Sequence, residues 1–317
     1  MSRSSVEIAR CPAPERASAL DLLYRHTASV IRSKVLADLL QEADRGELDL
    51  SGLWIARRRG RIVGVLMSQA LASRSAALWP PEVVCAWGRN PALAEQLVRV
   101  VLEDYRARGF RLAQALIDGE SHRHAASDLE RGGLPHVTDL LYMVRSLTET
   151  SGPEAQAVSS RDRPRWQWLA YGPETEAEFA EVLQQTYIGS LDMPELEGVR
   201  GLEDILAGQR AGGRLDPTCW RLGRLPDEPE AASVLLLAPG NEASTWEVSY
   251  LGLTPQARGR GLGQQALAHA LELARPHARR LELAVDIRNR PAEQLYRRAG
   301  FRPFDRRGVH VAVLQSK

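Results

Sequence analysis

Two spacings of apolar residues alternate along the chain, one typical of amphipathic helices and one typical of half-buried strands. Leucines and alanines lie at helical spacing over residues 262–273, whereas apolar positions alternate over 281–285. In the first half, helical spacing over 17–43 precedes two short apolar runs, 53–56 and 62–67, that flank a charged link. This order predicts a helical region followed by a β-hairpin.

The remainder of the first half alternates strands and helices. Asn90 and Pro91 precede a helical pattern, which is typical of a side-chain N-cap with proline at the first helical position. A continuous apolar run, 140–144, lies within residues 137–147, which predicts a buried strand. Strands are predicted at 80–87, 110–117 and 137–147, and helices from Pro91 to Arg108 and at 125–131.

The second half repeats this order after a segment, residues 151–165, that is rich in Ser, Pro and Arg and poor in large apolar residues. Such a composition is typical of a linker. Strands are predicted at 166–171, 220–224, 233–238, 242–253, 281–285 and 309–314, and helices at 174–186, 202–209, 262–273 and 291–299. The repetition predicts an internal duplication of a mixed α/β unit, with domains at 1–150 and 166–317.

Composition excludes several classes of function. The net charge is +1, so the chain lacks a global electrostatic footprint for nucleic acid or an acidic membrane. No apolar run approaches the about 20 residues that a membrane span needs, and the first residues lack the apolar core of a signal peptide. Cys11, Cys85 and Cys219 lie far apart, without metal-ligand spacing. We therefore expect a cytoplasmic protein without a metal site.

One stretch combines a strand, a glycine-rich turn and a helix start. The apolar run 248–253 is followed by Arg258-Gly259-Arg260-Gly261-Leu262-Gly263-Gln264, where helical spacing begins. A helix N-terminus has unpaired N–H groups and partial positive charge, and glycines let the backbone approach a phosphate. The stretch therefore predicts a pyrophosphate site. Its glycine spacing is not G-x-G-x-x-G, and no Gly-Lys-Ser/Thr follows, which argues against Rossmann and Walker sites.

The turn resembles the Arg/Gln-x-x-Gly-x-Gly/Ala loop of the GNAT superfamily of N-acetyltransferases. A second segment is similar to the family's Asn-x-x-Ala-x-x-Leu-Tyr-x-x-x-Gly-Phe signature, in the same order and context. The residues that carry this second similarity are Asn289, Ala292, Leu295, Tyr296, Gly300 and Phe301. The resemblance covers about residues 166–314 and implies a GNAT-like fold.

The first half resembles the same fold in the order of its elements only. Its segment Asp128–Leu134 looks like an eroded copy of the signature's end, with Glu130 at the tyrosine position. The segment Trp87–Pro91 takes the place of the glycine turn, and proline has no N–H to donate to a phosphate. The layout is thus similar to that of tandem GNAT proteins with one degenerate and one active unit, such as the mycothiol synthases.

The resemblance implies acetyl-coenzyme A as the phosphate-bearing ligand and acyl donor. Backbone N–H groups of the turn would hold the pyrophosphate, with added charge from Arg258 or Arg260. Main-chain groups of Leu251–Leu253 would pair with the pantetheine arm, and the N–H near Leu251 would polarise the thioester carbonyl. Asn289 would contact the coenzyme or else cap the next helix. The implied coenzyme-binding residues are Leu251, Gly252, Leu253, Arg258, Gly259, Arg260, Gly261, Leu262, Gly263, Gln264 and Asn289.

Two side chains are candidates for proton transfer. Acetyl transfer to an amine requires that an ammonium lose a proton and that the leaving thiolate gain one. The resemblance implies Tyr296 as the general acid, and Glu247, four residues before Leu251, as the base, acting directly or through water. The alternatives are an aromatic ring packed at helical spacing and a solvent-facing strand carboxylate.

The sequence does not identify the acceptor. Asp192, Glu195 and Glu197 lie between the first two helices of the second half, where this fold forms the acceptor cleft, and they would suit a cationic amine. The expected activity is acetyl transfer from acetyl-CoA to a primary amine by direct attack within a ternary complex. The alternatives are a catalytically silent acyl-CoA-binding regulatory protein and a transferase of a different acyl group.

Overall fold

The computed structural model describes residues 6–71, 74–84, 90–118, 123–148, 166–196, 217–226, 228, 230–240 and 242–314. The chain divides into two units, one comprising Met1–Val137 with Gly308–Lys317 and the other Thr138–Arg307. The predicted linker at 151–165 and the predicted helix at 202–209 lie outside the described residues.

The first unit is a mixed sheet with helices packed on it. Its elements are β1 (Glu7–Arg10), α1 (Arg16–Leu23), α2 (Ser29–Asp44), β2 (Leu53–Arg58), β3 (Arg61–Leu71), β4 (Ser75–Leu78), β5 (Glu82–Val83), α3 (Pro91–Ala107), β6 (Leu112–Asp118) and α4 (Arg123–Gly132). The strand order is β1-β2-β3-β4-β6, and β5 pairs with β3. Strands β4 and β6 are parallel, as in a β-helix-β crossover through α3.

The described part of the second unit follows the first unit's order of helices and strands, without counterparts of α2 and β5. Its elements are most of β7 (His136–Ser146), then β8 (Gln167–Ala170), α5 (Glu176–Tyr187), β9 (Trp220–Arg224), β10 (Ala231–Pro239), β11 (Thr245–Leu253), α6 (Leu262–Ala274), β12 (Arg280–Asp286), α7 (Arg290–Arg298) and the first part of β13 (Arg302–Val313). The strand order is β8-β9-β10-β11-β12-β7, in which only β11 and β12 form a parallel pair.

Helices cover both faces of the second sheet. Leu267 and Leu271 of α6 pack on one face, and Phe179 and Leu183 of α5 pack on the other. Eight consecutive residues of β10 are buried, because its side chains alternate between these two layers. The loop between β11 and α6 follows the C-terminal end of β11 and therefore lies at one end of the sheet.

The predicted mixed α/β fold class is confirmed, with differences in detail. The helical region 17–43 forms two helices, α1 and α2, as predicted. The pattern did not predict strand β1, which pairs with β2, and it placed the start of the last strand at 309 instead of Arg302. Strand β1 is short and the first half of β13 is polar, so alternation within them is a weak signal.

The predicted first domain includes β7, but most of this strand belongs to the second unit. Its residues from Leu140 to Ser146 pair antiparallel with Asp286 to Arg280 of β12, and the strand is half-buried rather than buried throughout. Residues 308–317 at the end of the chain belong to the first unit instead. Apolar content predicts that a strand forms but does not decide which sheet edge it pairs with.

Candidate functional site

Strands β11 and β12 separate in the middle of the second sheet. Their parallel pairing runs from Thr245 opposite Arg280 to Val248 opposite Leu283. Beyond this point β12 continues along β7, whereas β11 continues along β10 as far as Leu253. The second half of β11 therefore has a β10 neighbour on one side and a gap on the other.

The direction of main-chain groups along β11 decides what faces this gap. The Ser233 hydroxyl donates to the Gly252 carbonyl at 3.0 Å, and the Thr254 N–H donates to the Ala232 carbonyl at 2.9 Å. Gly252 and Thr254 therefore direct their main-chain groups toward β10. Because these directions alternate along a strand, Leu251 and Leu253 direct theirs toward the gap.

A β-bulge lies at the point of separation. Leu236 of β10 faces Tyr250, but its neighbour Leu237 faces Val248, so Ser249 is an extra residue. The extra residue places Val248 and Leu251 on the same face, against α6. Without it, the alternation of side chains would put these two residues on opposite faces.

Glu247 lies on the solvent-exposed side of β11, one residue before Val248. The Ser249 hydroxyl donates to its carboxylate at 3.4 Å. Burial raises the pKa of Tyr142 and of Glu282, and the negative charge of Glu247 contributes to both increases. These effects show that the Glu247 carboxylate is close to both groups. No ion pair of Glu247 is found within the described part of the chain.

The glycine turn ends in a helix N-terminus without a side-chain cap. Gly259 and Gly261 have φ angles of 73° and 77°, in the left-handed region that favours glycine. Gly261 is the N-cap residue of α6 and, having no side chain, makes no side-chain cap hydrogen bond to the first turn of this helix. A Cβ atom on Gly259 would meet nothing within 4 Å, so the space beside the turn is open.

Gly252 has a different role, which is close packing. A Cβ atom there would lie 2.6 Å from Cε1 of Tyr250 and 2.7 Å from Cβ of Thr186. The glycine therefore lets the C-terminal end of α5 pack directly on β11. The Tyr250 hydroxyl is 2.8 Å from Oγ1 of Thr186, which in turn donates to the Leu183 carbonyl at 2.6 Å.

The two arginines of the turn differ in their partners. The Arg258 guanidinium donates to four carbonyls: Nε to Leu253 at 3.1 Å, Nη2 to Thr186 at 2.9 Å, and Nη1 to Ile188 and Gly189, both at 2.9 Å. The Arg260 side chain is 40% exposed and forms an ion pair with Glu228 at 2.8 Å. A guanidinium has five N–H donors, so Arg258 has little capacity left for a phosphate, whereas Arg260 can exchange its surface partner.

Asn289 caps helix α7 and also holds a carboxylate. Its Oδ1 accepts from the Ala292 N–H at 3.2 Å, and its Nδ2 donates to Oδ2 of Asp192 at 2.7 Å. The Asp286 N–H donates to the other oxygen of Asp192 at 3.0 Å. The Asp192 residue is exposed as a whole, but burial of its carboxylate raises the pKa of this group.

A buried aspartate next to this contact organises the surrounding segment. Asp286 accepts from the Thr138 hydroxyl at 2.6 Å, from the Met193 N–H at 3.1 Å and from the Arg288 guanidinium at 2.7 Å. Burial alone would raise the pKa of Asp286, but these hydrogen bonds outweigh it and lower the pKa. Arg288 also pairs with Glu195, whose hydrogen bonds raise the pKa of the guanidinium. The sequence reasoning missed Asp286 and Arg288, and Glu197 lies outside the described residues.

Tyr296 is 8% exposed and lies in the core beside α6 and Phe301. Burial raises the pKa of its hydroxyl, and the negative charge of Asp192 raises it further. The phenol is therefore protonated at neutral pH and lies near the Asp192 carboxylate. The packing of the ring in the core agrees with the predicted aromatic contact at helical spacing, and the role as general acid stays a prediction.

The end of the signature has a counterpart in the first unit, but in another register. The Phe301 N–H donates to the Tyr296 carbonyl at 3.0 Å, and the Leu134 N–H donates to the Leu129 carbonyl at 2.8 Å. Leu129 is therefore the structural equivalent of Tyr296, and the predicted equivalence of Glu130 is wrong by one residue. Leu129 is fully buried and has no group that could transfer a proton.

Three further observations concern metal-binding groups, membrane-spanning helices and cysteines. Among the residues that the structure describes, no three His, Cys, Asp or Glu side chains form a group that could hold a metal ion. In the same residues, no helix has both the length and the apolar character to cross a membrane. Cys11 is buried and Cys219 is partly exposed.

Comparison with known proteins supports the resemblance drawn from the motifs. Residues 191–301 match the family model described as the acetyltransferase (GNAT) family. A mycothiol acetyltransferase of Beutenbergia cavernae is 33% identical over 183 residues, covering 56% of this chain and 60% of that protein. A mycothiol acetyltransferase of Pseudarthrobacter chlorophenolicus is 32% identical over 233 residues, covering 68% of this chain and 64% of that protein. The matches thus span somewhat less than two thirds of each relative.

Solved structures show the same fold along nearly the whole chain. A GCN5-related N-acetyltransferase from Sphaerobacter thermophilus superimposes with a TM-score of 0.60 at 19% identity, covering 98% of this chain and 96% of that chain. A glucosamine N-acetyltransferase region of a fungal multi-domain β-N-acetylglucosaminidase has a TM-score of 0.64 at 15% identity, covering 98% of this chain and 38% of that one. The predicted GNAT resemblance is therefore confirmed, in sequence for residues 191–301 and in fold for the chain.

Proposed function

We propose that the second unit binds acetyl-CoA and transfers the acetyl group to a primary amine by direct attack within a ternary complex. The observation that carries this proposal is the glycine turn after a strand that has separated from its neighbour. The uncapped start of α6 supplies N–H groups for a pyrophosphate, and the free edge of β11 supplies N–H and C=O groups for an extended arm. Both features suit an acyl-CoA, which supplies the activated acyl group.

The reacting end of the proposed site lies where β11 and β12 separate. There the Leu251 N–H would donate to the carbonyl oxygen on which negative charge develops during attack. Tyr296 would act as the general acid that protonates the leaving thiolate, which agrees with a phenol that burial keeps protonated. The hydrophobic packing around its ring would hold the hydroxyl in a fixed position.

Glu247 is the proposed base for the acceptor ammonium, directly or through a water molecule. Its exposed position and the absence of an ion pair among the described residues leave the carboxylate available to a cation. Asp192 is a second carboxylate of the same region and has only neutral hydrogen-bond donors, Asn289 and the Asp286 N–H. We propose Glu247 for proton transfer and Asp192 for attraction of the cationic acceptor.

The first unit would serve as a degenerate copy without an acyl-CoA site. Its helix α3 begins with a side-chain cap, and Leu129 replaces the tyrosine. We therefore propose one active site per chain, in the second unit. The coenzyme contact of Asn289 is the least supported assignment, because both ends of its amide have protein partners.

The acceptor class can be tested with a small panel. Two relatives are named mycothiol acetyltransferases, and a third, from Bacillus subtilis, is named as a putative ribosomal-protein alanine N-acetyltransferase, 36% identical over 58 residues. The panel therefore contains a mycothiol-related amine, glucosamine, ethanolamine and a peptide that begins with alanine. Free thiol released from acetyl-CoA measures turnover, and calorimetry measures acetyl-CoA binding.

We expect one equivalent of acetyl-CoA to bind and at least one amine of the panel to accelerate thiol release. Binding without turnover on any amine would contradict the transferase and favour a silent acyl-CoA-binding protein. Faster turnover with succinyl-CoA than with acetyl-CoA would favour a different acyl group. No heat of binding with either acyl-CoA would reject the site as a whole.

A further inference from the structure

The segment Ile188–Leu196 is here called the bridge segment. It forms hydrogen bonds near both of its ends with residues of the proposed site. At its start, the carbonyls of Ile188 and Gly189 accept from Arg258 of the glycine turn. Near its other end, Asp192 accepts from Asn289 at the start of α7, which carries Tyr296, and the Met193 N–H donates to Asp286 at the end of β12. The bridge segment therefore connects the turn that would hold phosphate with the surroundings of the proposed acid.

The contact at the start of the bridge segment depends on one side chain. Helix α5 ends at Tyr187, and the last carbonyls of a helix have no intrahelical partner. Arg258 binds Thr186 within this last turn and the two carbonyls that follow it, and its Nε binds Leu253 at the end of β11. A cation is also favoured at a helix C-terminus by the helix dipole. One guanidinium thus links α5, the bridge segment and β11.

Backbone conformation shows that the bridge segment needs such support. Gly189 has a φ angle of 59°, and Met193 has a φ angle of 46°, which is unusual for a residue with a side chain. Strained backbone of this kind persists only where the surroundings fix it. The contacts that fix it are Arg258 at one end and Asp286 with Asn289 at the other.

We propose that Arg258 is a positioning residue, which holds the bridge segment and thereby Asp192 at the reacting end, and that Arg260 is the arginine of the turn that contacts the coenzyme phosphates. This inference rests on the proposed function of the second unit. It assigns different tasks to two arginines that sequence reasoning treated as equivalent. Arg258 would control the affinity for the amine acceptor, and Arg260 the affinity for acetyl-CoA.

The test compares the same substitution at both positions. For Arg260→Gln we expect an acetyl-CoA Kd about tenfold higher and unchanged hydrogen exchange in the bridge segment, because a surface ion pair is lost without a backbone contact. For Arg258→Gln we expect at most an about threefold higher Kd, hydrogen exchange of amides 188–193 about tenfold faster, and an amine KM about tenfold higher. Glucosamine and an alanine-first peptide are the amine probes.

Two further variants separate positioning from general damage to the fold. Unlike Arg258→Gln, the variant Arg258→Lys keeps the positive charge, but it also lacks the planar guanidinium. We therefore expect a normal Kd for acetyl-CoA and hydrogen exchange in the bridge segment as fast as in Arg258→Gln. Arg221→Gln is the control, because Arg221 also donates to a main-chain carbonyl, that of Trp220, at 2.9 Å, but lies on β9. We expect this control to leave the KM for the amine and the exchange of residues 188–193 unchanged.

The outcomes distinguish this inference from the proposed function. If Arg258→Gln weakens acetyl-CoA binding as much as Arg260→Gln and leaves the exchange of residues 188–193 unchanged, Arg258 is a phosphate ligand and the inference is wrong. If the unsubstituted protein does not bind acetyl-CoA, the proposed function fails. In that case the exchange measurement alone still decides whether Arg258 holds the bridge segment.

Discussion

Helices α3 and α6 follow equivalent strands in the two units, but they begin in opposite ways. Asn90 caps α3 by accepting from the Leu93 N–H at 3.3 Å, and Pro91 is its first residue. Gly261 begins α6 in a left-handed conformation without a side-chain cap. The Asn90 side chain satisfies one N–H group at the start of α3, whereas no side-chain cap satisfies the start of α6.

The strands that precede these two helices also differ between the units. In the first unit β4 ends at Leu78, and Pro80 and Pro81 separate it from the two-residue β5. In the second unit β11 continues to Leu253 beyond its separation from β12, and it leaves an ordered edge. Under the proposed function, these local differences at one helix start and one strand leave the acyl-CoA site in the second unit alone.

The largest expected effect is at Tyr296, whose equivalent in the first unit is Leu129. We expect Tyr296→Phe to lower kcat about a thousandfold, because the general acid is removed while the ring stays packed. The matched control is Tyr105→Phe in the first unit, a buried tyrosine whose hydroxyl is 3.2 Å from Oγ of Ser68. Steady-state kinetics of both variants would measure the difference, and equal kcat values would remove Tyr296 from the mechanism.

The pH profile gives an independent check of the same assignment. Burial raises the pKa of Tyr296, so the phenol keeps its proton beyond its ordinary range. The acid form should therefore persist, and we expect no loss of kcat from this group up to about pH 10. An alkaline loss that begins below about pH 9 in the parent and is absent in Tyr296→Phe would contradict the raised pKa.

A smaller effect is expected at the glycine turn. Gly259→Asp introduces a carboxylate where the proposed pyrophosphate binds, and we expect acetyl-CoA to bind about thirtyfold more weakly, or about 2 kcal/mol. Gly60→Asp is the matched control, because Gly60 has a φ angle of 75° and open space around it, as Gly259 has with 73°. Both changes impose the same backbone strain, so calorimetry isolates the effect of position. Equal Kd values for the two variants would reject the phosphate site.

The smallest effect is expected at the cap of the first unit. Replacing Asn90 by Ala should lower the free energy of unfolding by about 1 kcal/mol, and replacement by Gly should lower it by only a few tenths. Urea unfolding measures these differences. Neither change should alter the number of acetyl-CoA molecules bound per chain. A second equivalent bound by Asn90→Gly would show that the cap alone distinguishes the two units.

Much of the site could be predicted from local sequence because its geometry is local. The left-handed turn needs glycine at 259 and 261, the cap of α3 needs the Asn90 side chain, and α7 begins beside Asn289. Each of these depends on a few consecutive residues. The same is true of the mixed α/β fold class, which follows from the alternation of helical and strand spacing.

Contacts between distant segments could not be predicted in this way. The sequence places Arg258 and Arg260 in one motif, but only the packing of α5 against β11 brings four carbonyls to Arg258. Likewise, Asp286 accepts from the Thr138 hydroxyl across 148 positions of the chain.

The sequence by itself thus determined the elements, the glycine turn and the family resemblance, since propensity, capping and turn chemistry act over a few residues. The tertiary structure alone decided that β7 pairs with β12, that the bulge at Ser249 places Val248 and Leu251 on one face, and that Arg258 binds carbonyls while Arg260 forms a surface ion pair. Strand pairing and guanidinium partners depend on which surfaces pack together, and residues far apart in the chain supply those surfaces.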